Sequence, residues 1–282
     1  MSPASTLRRL LIERVRDRFN DRARGEQPVP RSADALLPPD SVAWRVHGDV
    51  TTMMVGGIAA LLVEMLHPLA LGGVWDHSNV AADMPGRLRR TARFIATTTF
   101  GHRETATAAI DRVRGIHAQV RGTLPDGTAY RADDPALLAW IHVAGSLSFL
   151  DGWRRYGEPR MSLADQDRYF AEVAMMARAL GADPVPETRA EAEALVERFR
   201  PELRVDERTH AFRKLVLEAP AASLGELPVQ RLMMAAAVDL MPGWAAAMHG
   251  LRPVVIGQPA VRAATLGLAG MLRWAFAGPP VR

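Results

Sequence analysis

The stretch VTTMMVGGIAALLVEML, Val50 to Leu66, decides the fold. It carries one charge, Glu64, and is apolar on nearly every face when wound at helical spacing. A helix of that kind is buried on all sides, at the centre of a helical protein. Its uncharged part, Val50 to Val63, includes two threonines and two glycines and is too short to cross a bilayer. His67-Pro68 ends or bends it, because proline cannot continue a helical hydrogen-bond ladder. Everything on either side must cover this rod.

Outward from that core the signal stays helical. Residues 6–22 place Leu7, Leu10, Leu11, Arg14, Val15 and Arg18 at the spacing of an amphipathic opening helix. A linker with Pro28, Pro30, Pro38 and Pro39 follows. On the other side, Pro85 opens a helix that Gly101 closes after Phe100. The next runs from Arg103 to Val120, with Gly122 beyond it. The stretch from Leu124 to Thr128 reads as a turn, the tip of a small hairpin. Asp133 or Asp134 then caps a helix opened by Pro135 and reaching Tyr156, and Ser162 with Asp165 starts one that Gly181 ends. Helices over 187–199, 206–217, 230–248 and 260–276 complete the set. Strand-like alternation is nearly absent. The expectation is a single all-α domain over 1–282 with about eight to ten helices, residues 1–40 forming the opening helix and linker.

Composition narrows the chemistry. Apolar residues are 48% and charged residues 23% of the chain, an ordinary globular balance. Cysteine is absent, which excludes disulfides, iron–sulfur clusters, thiolate-ligated haem and cysteine nucleophiles. Lys214 is the one lysine beside 34 arginines, and no glycine-rich phosphate loop precedes it. The net charge of +4 raises the question of nucleic acid. However, 31 carboxylates are interleaved with the arginines, and aromatics are only 6%. The expectation is no nucleic-acid partner. Glu13 and Arg14 interrupt the apolar run Leu10–Ile12, so no export signal forms and a cytoplasmic location is expected.

The histidines carry the most information. His117 shares a helical face with Ile110, Val113 and Val120. A histidine there is commonly a core residue bonded to a carbonyl, but a neutral imidazole in an apolar wall is also what an axial haem ligand requires. Arg114, one turn earlier, either reaches a propionate or pairs with Asp111 at the surface. Asp76-His77 presents an acid and a base at a helix end. Arg87, Thr91 and Phe94 stand at i, i+4 and i+7, giving one face a guanidinium, a hydroxyl and a ring. His142 lies within an apolar helix and is the next histidine to consider. Glu64-x-x-His67 and Glu207-x-x-His210 are two E-x-x-H pairs of the kind found in ferritin-like di-iron bundles. A third reading is a helical binding protein without a redox centre, its pocket filled by an apolar ligand.

Four segments in order, EMLHPLALGGVWDHS (64–78), RLRRTARFIATTTFG (87–101), VRGIHAQVRG (113–122) and DDPALLAWIHVAGS (133–146), resemble the family of the MpaB oxygenase and the latex-clearing rubber oxygenase. The resemblance covers about residues 45–220. It implies a globin-like haem b oxygenase acting on hydrophobic, often isoprenoid, molecules with dioxygen; peroxidase-type chemistry is the neighbouring option. By the same resemblance His117 is the axial iron ligand and Arg114 its motif partner. It also implies that Arg87 and Thr91 are pocket residues beside the haem; Arg90 and Phe94 are expected with them on the same helix, and Asp76 or His77 is the nearest candidate for proton transfer. Arg90 stands where the rubber enzyme has a lysine able to cap the iron; arginine stays protonated and cannot ligate. The equivalent of that enzyme's catalytic glutamate falls at Leu71. The sequence leaves room for a homo-oligomer.

Overall fold

The computed structural model describes residues 3–21, 25–221, 223–251 and 257–277. Within them the chain is all-α, with thirteen α-helices and one two-stranded hairpin. The buried rod is α3 (Val50–Glu64), in which ten residues from Thr51 to Val63 are buried. Asp49 caps its first turn, accepting a hydrogen bond from the Thr52 amide at 2.9 Å. The chain then bends by 105° into α4 (Pro68–His77), as His67-Pro68 requires.

The longest helix, α7 (Pro135–Tyr156), packs on α3 more closely than side chains would allow. A methyl group added at Gly56 would sit 2.8 Å from the Ser148 carbonyl oxygen, and one at Gly152 would sit 2.9 Å from that of Thr52. These glycines let backbone meet backbone. Asp134 is the residue that caps α7, accepting from the amides of Ala136 and Leu137.

The C-terminal end of α3 leaves carbonyls without helical partners, and distant elements satisfy them. Trp140 in α7 donates its indole N–H to Glu64 at 2.9 Å. His249, at the end of α12 (Gly243–Met248), donates to Leu62 at 2.8 Å. The Arg204 amide bonds the Leu66 carbonyl at 2.9 Å. The last third of the chain is thereby tied to the centre.

Packed directly on the α3–α7 pair are α2 (Val42–His47), α8 (Leu163–Leu180), α9 (Arg189–Phe199), α10 (Glu207–Leu217), α11 (Leu227–Leu240) and α13 (Gln258–Phe276). Outside them α1 (Pro3–Phe19) packs on α13 and α5 (Met84–Phe100), and α6 (Arg103–His117) on α5 and α8. The hairpin β1 (Arg121–Thr123) and β2 (Ala129–Arg131) pairs antiparallel around the expected turn and packs Tyr130 onto Gly72 of α4. Several boundaries differ from the sequence reading. The helix expected to reach Val120 stops at His117 because the hairpin begins at Arg121. The helix expected over 230–248 breaks at Met241-Pro242 into α11 and α12. The short α2 lies in what reads as linker, its start fixed by Ser41 accepting from the Trp44 amide. The short α2, the separate α12 and α4, which the sequence reading did not assign as a helix, account for the helices beyond those expected. The sequence reading ends the opening helix at residue 22, which lies outside the described residues.

Candidate functional site

Four elements converge on one region: the end of α3, the first turns of α5, the end of α6 and the middle of α7. Glu64, the single charge of the central stretch, is the last residue of α3. Its side chain lies over Gly145 of α7, where a methyl group would come within 3.3 Å of Oε1. Desolvation pushes the Glu64 carboxyl up to about 7, against the opposing pull of the Arg87 guanidinium. Arg87 comes from α5, whose N-terminus is set by Asp83 accepting from the Gly86 amide at 2.9 Å. The Arg87 Nε is buried and has no hydrogen-bond partner among the described residues. Desolvation works against its charge while Glu64 favours it. The two groups therefore interact through space across a partly dry gap.

His117 closes α6 and is half-buried. Its Nδ1 is buried without a partner. Desolvation lowers its pKa, Asp133 pulls it back up, and the positive charge of Arg87 lowers it further. The ring is therefore held neutral at pH 7. Arg87 thus acts electrostatically on both Glu64 and His117, which links the α3, α5 and α6 contributions. His142, on α7 three residues before Gly145, shows the same character: Nε2 is buried and unpartnered, and desolvation takes its pKa down to about 4. His67 and His249 also have a buried Nδ1 without a partner and a lowered pKa, so what distinguishes His117 among them is the Arg87 guanidinium acting on it.

The other expected site residues sit elsewhere. Arg114 is exposed and pairs with Asp111 at 3.4 Å, the surface alternative read from the sequence. Arg90 is exposed and pairs with Asp83 at 3.1 Å; Thr91 is exposed and Phe94 half-buried. Asp76 and His77 are exposed at the end of α4. There Asp76 accepts from the Tyr130 hydroxyl at 2.8 Å and from Arg208 at 3.3 Å, and the His77 ring meets Tyr130 edge-on. This cluster joins α4, the hairpin and α10. The sequence reading missed Glu64 and Asp133 as parts of the His117 region. A charge inside an otherwise apolar stretch was the available signal for Glu64.

The two E-x-x-H pairs do not come together. His67 stands just before α4 without a side-chain capping bond, its Nε2 3.4 Å from Glu202 and its ring tilted against Trp140 and edge-on to Phe199, while Glu64 faces Arg87. Glu207 and His210 are exposed on α10. Among the described residues no group of three or more histidine, aspartate and glutamate side chains is arranged to hold a metal ion. A di-iron centre needs such a group. A haem needs only one imidazole from the chain, and His117 meets that need with a free nitrogen, a neutral ring and an adjacent buried cation.

No curated protein and no solved structure matches the chain. One family model does, over residues 44–275, extending past the 45–220 stretch that carries the motif resemblance; its description is ER-bound oxygenase mpaB/B'/Rubber oxygenase, catalytic domain. The match covers most of the chain and includes α3, α5, α6 and α7, so the protein belongs to this oxygenase family.

Proposed function

We propose that this oxygenase is haem b-dependent and oxidises a hydrophobic small molecule with dioxygen or peroxide, with His117 as the axial iron ligand. The observation that carries the reading is the His117 imidazole, neutral, acted on by the buried Arg87 guanidinium, and with a buried nitrogen that nothing among the described residues satisfies. When bound, the haem would supply the oxidative chemistry, and the protein orientation and charge. His117 would hold the iron. Arg87 stays charged at any working pH and has an unused buried N–H to offer an anionic group, either a propionate or the developing charge on oxygen. Glu64, with its carboxyl near 7, can hold or release a proton beside Arg87. Thr91, Phe94 and Arg90 lie farther along α5 and would flank the macrocycle. Arg114, one turn before His117, would meet a propionate at the rim by leaving Asp111. Asp76 and His77 would act at the α4 end.

Absorption spectra of the haem-supplemented wild type, His117→Ala and His142→Ala test this. The wild type is expected to show an intense Soret band with about one haem per chain, His142→Ala to keep it, and His117→Ala to lose it or shift it to an unligated spectrum. A colourless wild type at saturating haem refutes haem dependence. Loss in His142→Ala alone moves the ligand to α7. Bound non-haem iron without a Soret band would restore the di-iron reading, and no metal at all the simple binding protein.

A further inference from the structure

Helix α5 packs chiefly on α6, α2 and α1, and α6 on α5 and α8; neither packs closely on α3 or α7. The α5–α6 layer and the α3–α7 pair are bridged by α2 and α8, which touch both. Glu64 and Arg87 act on each other across the space between the layers. Accessible surface marks the same space: Gly57, Glu64, His142 and Phe149 are half-buried, although they lie on the two central helices. Away from Glu64 the seam is apolar. A methyl group added at Gly57 or Gly145 would sit 3.6 or 3.8 Å from the Phe149 ring, so that ring lies along the seam beside Gly145, which Glu64 also overlies. In the other layer, the face of α6 that carries His117 also carries Ile110 and Val113.

The charges choose the ligand. Arg87 makes no ion pair among the described residues, and its Nε–H is buried without an acceptor. A guanidinium stays protonated, and a buried cation without a bonded anion is costly. Glu64 is the carboxyl that acts on it, but the two form no ion pair and desolvation favours the neutral acid. Arg90, the other charge felt by Arg87, pairs with Asp83 at the surface. Asp133 acts on His117 from just before α7, and desolvation keeps both His117 and His142 neutral. The site thus offers a ligand one positive charge, with an acid opposite that can donate a hydrogen bond. A monoanion fits that balance, whereas a phosphate monoester, with close to two charges, leaves one uncompensated. The apolar seam suits an apolar remainder.

We propose that the site takes as substrate a monocarboxylic acid with an apolar tail, its carboxylate accepting from the Arg87 Nε–H and facing Glu64, its tail lying along Gly57 and Phe149. This rests on the oxygenase site proposed above, but not on its cofactor. Two carboxyl groups beside one guanidinium do not both stay ionised cheaply, so Glu64 keeps or takes up a proton when the acid binds. Titration calorimetry of the full chain with decanoate, decan-1-ol and decyl phosphate, before and after haem loading, is the test. Decanoate is expected to bind at least about tenfold more tightly than decan-1-ol, and Arg87→Gln to remove that difference while leaving decan-1-ol binding unchanged. At pH 8 the wild type is expected to take up as much as about one proton per decanoate, read from the heats in buffers of different ionisation enthalpy, and Glu64→Gln to bind without uptake. Absent decanoate binding, equal binding of decan-1-ol, tighter binding of decyl phosphate, or proton uptake that persists in Glu64→Gln overturns the proposal. So does decanoate binding that vanishes on haem loading, since a propionate then holds Arg87. A haem-bound chain without a preference for decanoate removes this substrate and leaves the haem reading; a colourless chain with that preference does the reverse. Should Arg87→Gln fail to fold, the ligand ranking and the Glu64→Gln proton count decide alone.

Discussion

At the scale of single residues, Glu64 is the most informative side chain because its ionisation opposes folding. Its carboxyl titrates near 7 in the fold against 4.5 ordinarily, chiefly from desolvation. Between those values the folded chain keeps a proton that the unfolded chain has released. Its contribution to stability is therefore complete below 4.5 and is lost as pH rises through 7, a swing of roughly 3 kcal/mol. Glu64→Gln removes that swing. The Arg87 attraction is already contained in that titration, so the expected result is that the melting temperature of apoprotein Glu64→Gln rises relative to that of wild type between pH 5 and pH 7. An unchanged slope would mean that Glu64 is ionised and hydrated in the fold, and its role as a proton-holding group beside Arg87 would fall with it.

At the scale of elements, the α3–α7 contact sets the positions of Glu64 and Gly145, and the glycines set the contact. Gly56→Ala would place a methyl group 2.8 Å from a backbone oxygen that cannot move alone, so about 1–3 kcal/mol of destabilisation is expected. Gly267→Ala on α13 is the control. Nothing lies within 4 Å of its added carbon, and removing a helical glycine should stabilise by about 1 kcal/mol. Urea unfolding of both variants checks the pair; a neutral Gly56→Ala would show that the two helices can separate without cost. The sequence contained this core as an apolar run with one charge, and it contained the helix starts because proline and capping residues act locally. It did not contain the glycine contact, since Gly56 and Gly152 meet only in three dimensions. The same holds for the site. His117 and Arg87 were legible as types on faces, whereas Asp133 and Glu64 act on them from other elements. Arg114 and Arg90 pair with Asp111 and Asp83, and spacing alone does not say which neighbour a long side chain will choose.

At the scale of the whole molecule, neutral histidines held in desolvated positions make the fold sensitive to acid. His47, hydrogen-bonded to Thr99 and Tyr169, and His142 both fall to about 4 from an ordinary 6.5 through desolvation. Desolvation also lowers His67 and His249. For each, the unfolded chain takes up a proton first as pH falls below 6.5. Stability is thus fully present above 6.5 and is lost as pH drops through 4, at about 3 kcal/mol for each of His47 and His142. Glu64 works in the opposite direction between 7 and 4.5, but one carboxyl faces at least two imidazoles. The apoprotein is therefore expected to melt at steadily lower temperature from pH 7 to pH 4.5. His142→Leu offers the cleaner test, because the His142 Nε2 gives up no hydrogen bond, whereas His47 would lose two. The variant should lose less of its melting temperature over that range, by roughly 5 °C. Parallel curves for wild type and variant would mean that His142 is already protonated in the fold, and an imidazolium there could neither ligate a metal nor serve as the alternative to His117.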